Sequence, residues 1–270
     1  MKLHIASAAG NIFGYLWAGE VPSSFDGAAW ARALCPRGRA FGLDGLFLLE
    51  RPGAGPWRME HWDTDGAHTF CSNGTRAALG LEGAPVDAAL EAVSSGEAVS
   101  LRRDSNGIGL RMPEGDATGL RPLPMPVWGA LGGRPAAFGL VGNPQLVVEM
   151  PKVAEVDLGS FAPPLRYHRA FKGGSNVNVL EVIGEHEARI RSWERGVEGE
   201  TLCCGTGCAV AAAWLAQRTG RGQWLLHTAS GEAVTIELQS LPGGAWKNLW
   251  LSGPVRRIGE ASPDAALLAF

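Results

Sequence analysis

The hydrophobic pattern of this chain is a series of short apolar runs separated by turn residues, with one long helical stretch late in the sequence. A short strand near Leu3–Ile5 leads through a glycine-rich approach to Gly10-Asn11. Gly45–Arg51 is an apolar run of strand length, and Trp57–Asp63 alternates in part, as a half-buried strand does. Val99–Arg103 and Ile108–Met112 flank Asp104-Ser105-Asn106-Gly107, and Asn-Gly between two such runs predicts a hairpin. Further strands are expected near Leu146–Met150, Val177–Ile183, Glu187–Glu194, Trp224–His227, Ala233–Leu238 and Trp246–Leu251. The apolar residues Val86, Ala89, Leu90 and Val93 have helical spacing, and a short helix is expected after Cys71. The alanine-rich run from Gly205 to about Thr219 predicts the main helix, closed by Gly220 as its C-cap. The result is an α+β chain with largely antiparallel pairing.

The pattern also repeats. Ser95-Gly96-Glu97-Ala98-Val99-Ser100-Leu101 recurs as Ser230-Gly231-Glu232-Ala233-Val234-Thr235-Ile236. Arg58–Asp63 recurs as Arg189–Glu194, and Gly10-Asn11 as Gly142-Asn143. Cys71-Ser72-Asn73-Gly74 pairs in the same way with Cys204-Gly205-Thr206-Gly207. Four matches in one order at a nearly constant offset predict two duplicated, pseudo-symmetric domains. Pro122, Pro124 and Pro126 read as the linker, giving domains 1–121 with Cys71 and 122–255 with Cys204.

Composition narrows the chemistry. The 270 residues suffice for two domains, and a net charge of −3 offers no electrostatic footprint for nucleic acid. No apolar run approaches the roughly 20 residues of a membrane helix, and the first residues lack a secretory core, so a cytoplasmic protein is expected. Five cysteines do not suggest a disulfide framework, and with no CxxC pair and no ligand spacing among six histidines no metal is expected. Lys2, Lys152, Lys172 and Lys247 are the only lysines, so no Schiff-base cofactor is expected, and none of any other kind.

What the repeat does supply is a thiol before a glycine-containing helix entrance, twice. First-turn N–H groups are unpaired and the helix dipole is positive there, so each entrance can hold a carboxylate and draw a thiol pKa down from about 8.5. If the two halves face one another, Cys71 and Cys204 stand on opposite walls of a cleft. One thiolate can then take an α-proton while the other thiol protonates the opposite face, which inverts a stereocentre.

These residues resemble the diaminopimelate epimerase family over nearly the whole chain. Gly10-Asn11, Cys71-Ser72-Asn73-Gly74-Thr75-Arg76, Gly142-Asn143-Pro144, Ser175-Asn176-Val177-Asn178, Glu194-Arg195-Gly196 and Glu200-Thr201 with Cys204-Gly205-Thr206-Gly207 match its motifs. The resemblance implies that Cys71 and Cys204 are the acid–base pair of a cofactor-independent isomerase. It implies that Ser72, Asn73, Gly205 and Thr206 hold the reacting carboxylate, with Asn11, Asn143, Asn176, Glu194 and Arg195 binding the rest of the substrate. The implied fold is two similar α/β halves, each a curved antiparallel sheet round a central helix, with residues about 256–270 returning to the first half.

Three positions depart from the family. Asp63 stands where asparagine is usual, Gln145 replaces histidine, and Ser72 replaces glycine. Asp63 is read as a substrate-binding position and Gln145 as a tuning one. The first reading is conversion of LL-2,6-diaminopimelate to the meso form in lysine and peptidoglycan precursor biosynthesis. A racemase of another amino acid such as histidine is the alternative, and a thiol redox or metal-binding protein is the alternative of another class. The expected partner is a small amino-acid substrate, with a homodimer allowed and neither nucleic acid nor membrane involved.

Overall fold

A computed structural model describes residues 1–38, 40–53, 55–81, 90–114 and 119–269. The first stretch holds β1 (Leu3–Ala8), β2 (Asn11–Trp17), α1 (Gly27–Leu34), β3 (Gly45–Glu50), β4 (Trp57–Trp62) and α2 (Ser72–Ala78). Then come β5 (Leu90–Ser94), β6 (Glu97–Asp104), β7 (Gly107–Arg111), β8 (Gly119–Arg121), α3 (Met125–Ala130), β9 (Ala136–Val141) and β10 (Asn143–Glu149). The remainder is α4 (Leu158–Arg166), β11 (Asn176–Gly184), β12 (Glu187–Glu194), β13 (Gly199–Thr201) and α5 (Gly205–Thr219), followed by β14 (Gln223–His227), β15 (Ala233–Ser240), β16 (Trp246–Gly253) and β17 (Val255–Ala261). Among the described residues no helix is long and apolar enough to cross a membrane.

The chain divides into two compact units, Met1–Leu110 with Gly253–Phe270, and Arg111–Ser252. In the first, β1 pairs antiparallel with both β17 and β2, β2 is parallel to β3, β3 antiparallel to β4, β4 parallel to β5, and β5 antiparallel to β6. In the second, β9 is antiparallel to β8 and β10, β10 parallel to β11, and β11 antiparallel to β12. There β12 is parallel to β14, and β15 is antiparallel to both β14 and β16. The run β1 to β6 and the run β9 to β15, with β13 set aside, thus follow one alternation of antiparallel and parallel pairings. The pairing is more mixed than the sequence pattern suggests, because each helical crossover between strands yields a parallel neighbour.

Helix α5 is buried from Gly205 to Ala216, since its alanines and valine present an apolar surface all round. It lies against β8, β9, β10, β11, β14 and β15. Gly220 ends it in the left-handed conformation, φ 74°. In the same unit Leu146, Val148, Val177 and Val179 pack with Leu158, Ala162 and Leu165 of α4. In the first unit Leu3, Leu16 and Leu46 pack with Trp30, Ala31 and Leu34 of α1.

Two expectations change. Of the helix expected over 86–93, residues 86–89 lie outside the described residues, and Leu90–Ser94 is a strand. Its ladder bonds to β4 and β6 and its buried Ala92 and Ser94 impose period two on the ambiguous apolar spacing. The proline cluster does not remain an open linker, because Pro124 caps α3 and Val127 enters the second unit's core. Helix α4 carries Pro163 and Pro164, breaker signals that hid it in the sequence; burial of Leu158, Ala162 and Leu165 offsets them.

Candidate functional site

Cys71 and Cys204 hold the same local position in their two units. Each is the N-cap of a helix in extended backbone, φ −127° for Cys71 and −101° for Cys204. The Cys71 carbonyl accepts the first helical bond from Thr75 N at 3.0 Å, and the Cys204 carbonyl from Cys208 N at 2.9 Å. Three residues on, Gly74 and Gly207 let a sheet side chain reach the helix start. A β-carbon on Gly74 would meet Phe47 Cε2 at 2.2 Å.

In the first unit Asn73 Nδ2 donates to Asn11 Oδ1 at 3.0 Å. Asn11 reaches that place because Ala9 and Gly10, both with positive φ, form the two-residue turn between β1 and β2. Arg76, fully buried, donates to Asn73 Oδ1 at 3.2 Å and to the carbonyls of Ile108 and Gly253 at 2.9 and 3.0 Å. Tyr15 Oη donates to Gly74 O at 2.7 Å, and burial, with Cys71 nearby, holds its phenol well above the usual range. Ser72 is buried in the first turn of α2.

Asp63 directly follows the end of β4. Its Oδ2 accepts from Thr69 Oγ1 at 3.0 Å, and its Oδ1 is 3.8 Å from His61 Nε2. Burial raises the Asp63 carboxyl; the Thr69 hydrogen bond opposes this and the charge of Asp65 adds to it. His61 Nδ1 lies 3.2 Å from the Thr69 carbonyl, which can only accept, so Nδ1 carries the proton and Nε2 is bare. Burial pushes its pKa down to about 3.

In the second unit Gln145 is fully buried beside the Cys204 thiol. Its Nε2 donates to Thr206 Oγ1 at 2.8 Å and lies 3.7 Å from Cys204 Sγ. The Cys204 thiol is held well above its ordinary range, chiefly by burial and then by the charge of Glu194, against the Thr206 hydroxyl and the Gly207 N–H. The depression expected of a helix entrance is therefore outweighed here by desolvation. A second group ties Arg195 to the asparagines: its Nη2 donates to Asn143 Oδ1 at 2.9 Å and its N–H to Asn176 Oδ1 at 2.7 Å. Glu194 accepts from Thr201 Oγ1. Their loop is anchored by Glu198, in left-handed conformation (φ 52°), which accepts from Arg166 Nη2 at 2.6 Å and Tyr167 Oη at 2.8 Å.

Among the described residues no group of three His, Cys, Asp or Glu is placed to hold a metal ion. Asn178, Ser192, Tyr15 and Arg76, to which the sequence assigns no role of their own, bond the residues around the two helix starts. The available signal was Asn176 and Asn178 two apart in an apolar strand, which puts two amides on one buried face.

A family model described as diaminopimelate epimerase matches residues 138–242. The chain is similar to the diaminopimelate epimerase of Gemmatimonas aurantiaca, 32% identical over 78% of this chain and 78% of that protein. It is 34% identical to that of Rhizorhabdus wittichii over 88% of this chain and 86% of its relative. Its fold is similar to that of a phenazine biosynthesis protein from Clostridium difficile, with TM-score 0.70, 12% identity and coverage of 98% and 99%.

Proposed function

Because the chain belongs to the diaminopimelate epimerase family, we propose that it inverts the α-carbon of LL-2,6-diaminopimelate to give the meso form, without a cofactor, using Cys71 and Cys204. The observation that carries this reading is the pair of thiols at equivalent helix N-caps, each with a glycine three residues later. One thiolate removes the α-proton; the other thiol delivers a proton to the opposite face. The reverse reaction exchanges the roles. First-turn N–H groups at Ser72-Asn73 and Gly205-Thr206 take the charge that moves onto the carboxylate. A buried thiol with a raised pKa is scarce as thiolate but strong as a base once formed, which suits a weakly acidic carbon.

Asn11, Asn143, Asn176, Glu194 and Arg195 bind the remainder of the substrate in this reading. The common strand alternation of the two units supports a duplicated chain with one half-site in each. The product would enter lysine and peptidoglycan precursor synthesis in the cytoplasm. The test is exchange of α-hydrogen for solvent deuterium on LL-diaminopimelate by the reduced protein. Absence of exchange, with the protein folded and its thiols free, would sink the proposal.

Asp63 supports a second reading. It is a partly buried carboxylate with Asp65 close by, where the family carries a neutral amide. A negative group there favours a substrate with a cationic far end, such as histidine. A preference for a mono-amino acid across a substrate panel would decide for it.

A further inference from the structure

We propose that Asn178 is a positioning residue for Cys204, fixing the Gln145 amide so that its NH2 group faces the sulfur. Asn178 Nδ2 lies 3.0 Å from Leu146 O, an atom that can only accept. The nitrogen of the Asn178 amide is thereby placed on that side, and its Oδ1 accepts from Ser192 Oγ at 2.7 Å. The same Nδ2 lies 2.9 Å from Gln145, so the Gln145 atom facing it is the acceptor, Oε1. Gln145 Nε2 is then turned to Thr206 Oγ1 at 2.8 Å and to Cys204 Sγ at 3.7 Å.

Asn178, Gln145 and Ser192 are all buried, where water cannot substitute for a lost partner. The orientation serves both protonation states. A thiolate at Cys204 accepts from Nε2, and the thiol can turn its proton to Oε1 at 3.9 Å. An amide does this without titrating itself, and Asn178, by holding Oε1, leaves Nε2 as the nearer end to the sulfur. Gly207 belongs to the same device, because any side chain there would displace Asn178 from the start of α5.

This rests on the reading of Cys204 as an acid–base thiol, but its test is made on the thiol itself. Iodoacetamide alkylation of Cys204 is followed by mass spectrometry across a pH series, with Cys71 in the same digest as internal reference. Asn178→Leu removes both donors without adding charge. Its Cys204 profile is expected to move up by about one pH unit, roughly tenfold slower alkylation below the midpoint, while Cys71 is unchanged. Gln145→Met should move it similarly, and the double variant no further than either alone. An unmoved profile in Asn178→Leu, or additive shifts in the double variant, would overturn the proposal. Should Asn178→Leu fail to fold, Asn178→Ala, which likewise removes both donors, takes its place in the same cycle with the same two outcomes. Lack of deuterium exchange in the unaltered protein would remove the epimerase reading and leave this result standing.

Discussion

A β-carbon on Gly207 would lie 2.2 Å from Asn178 Oδ1, so the first turn of α5 and the buried amide on β11 share space that no side chain can enter. Gly207→Ala is expected to push Asn178 off its partners. The expected cost is about 1–3 kcal/mol of stability, with a larger relative loss of turnover. Thermal melting and the deuterium-exchange assay measure the two separately. Gly74→Ala meets the buried ring of Phe47 at the same distance and should behave alike in the first unit.

Arg76 joins three acceptors from separate stretches of the first unit: Asn73 Oδ1, Ile108 O and Gly253 O. Lysine keeps the charge but not the planar fork, and leaves carbonyls unpaired in a buried place. Arg76→Lys should lose about 2–3 kcal/mol in urea unfolding. A loss within error of zero would mean that lysine reaches the same carbonyls.

Glu194 raises the Cys204 thiol through its charge. Glu194→Gln removes that charge, so the thiolate becomes more available and alkylation of Cys204 at fixed pH should accelerate. Slower alkylation would contradict the electrostatic account. In the proposed function the same variant weakens substrate binding, which would appear as a raised KM.

Stability should depend on pH through His61. Its pKa is 6.5 ordinarily and about 3 when buried in the fold. Between those values the unfolded chain holds the extra proton, so stability falls as pH drops from 6.5 toward 3, by about 1.4 kcal/mol per unit. Above 6.5 the group contributes no slope. Asp63 acts in the other direction: its raised pKa means the unfolded chain ionises first, and stability declines as pH rises through its folded value. Urea melts over a pH series should show a shallower acid limb in His61→Gln, and an unchanged limb would refute the assignment.

The sequence by itself carried the strands of strong alternation, the main helix with its Gly220 cap, the repeat and the two cysteine turns. Those features are written in local chemistry: period two or 3.6, a glycine that can take positive φ, a short motif before a helix. Tertiary structure decided the rest. Leu90–Ser94 became a strand because β4 and β6 supply its ladder, and Pro163-Pro164 sit in α4 because its apolar face is buried. The partners of Gln145 could not be read from spacing, since Asn178 and Thr206 meet it from distant positions on β11 and α5, and Ser192 of β12 meets Asn178 in turn. Nor could the raised pKa of Cys204. Motif and helix dipole argue for a lowered value, but burial depends on what the rest of the chain packs over the sulfur, and desolvation outweighs the dipole.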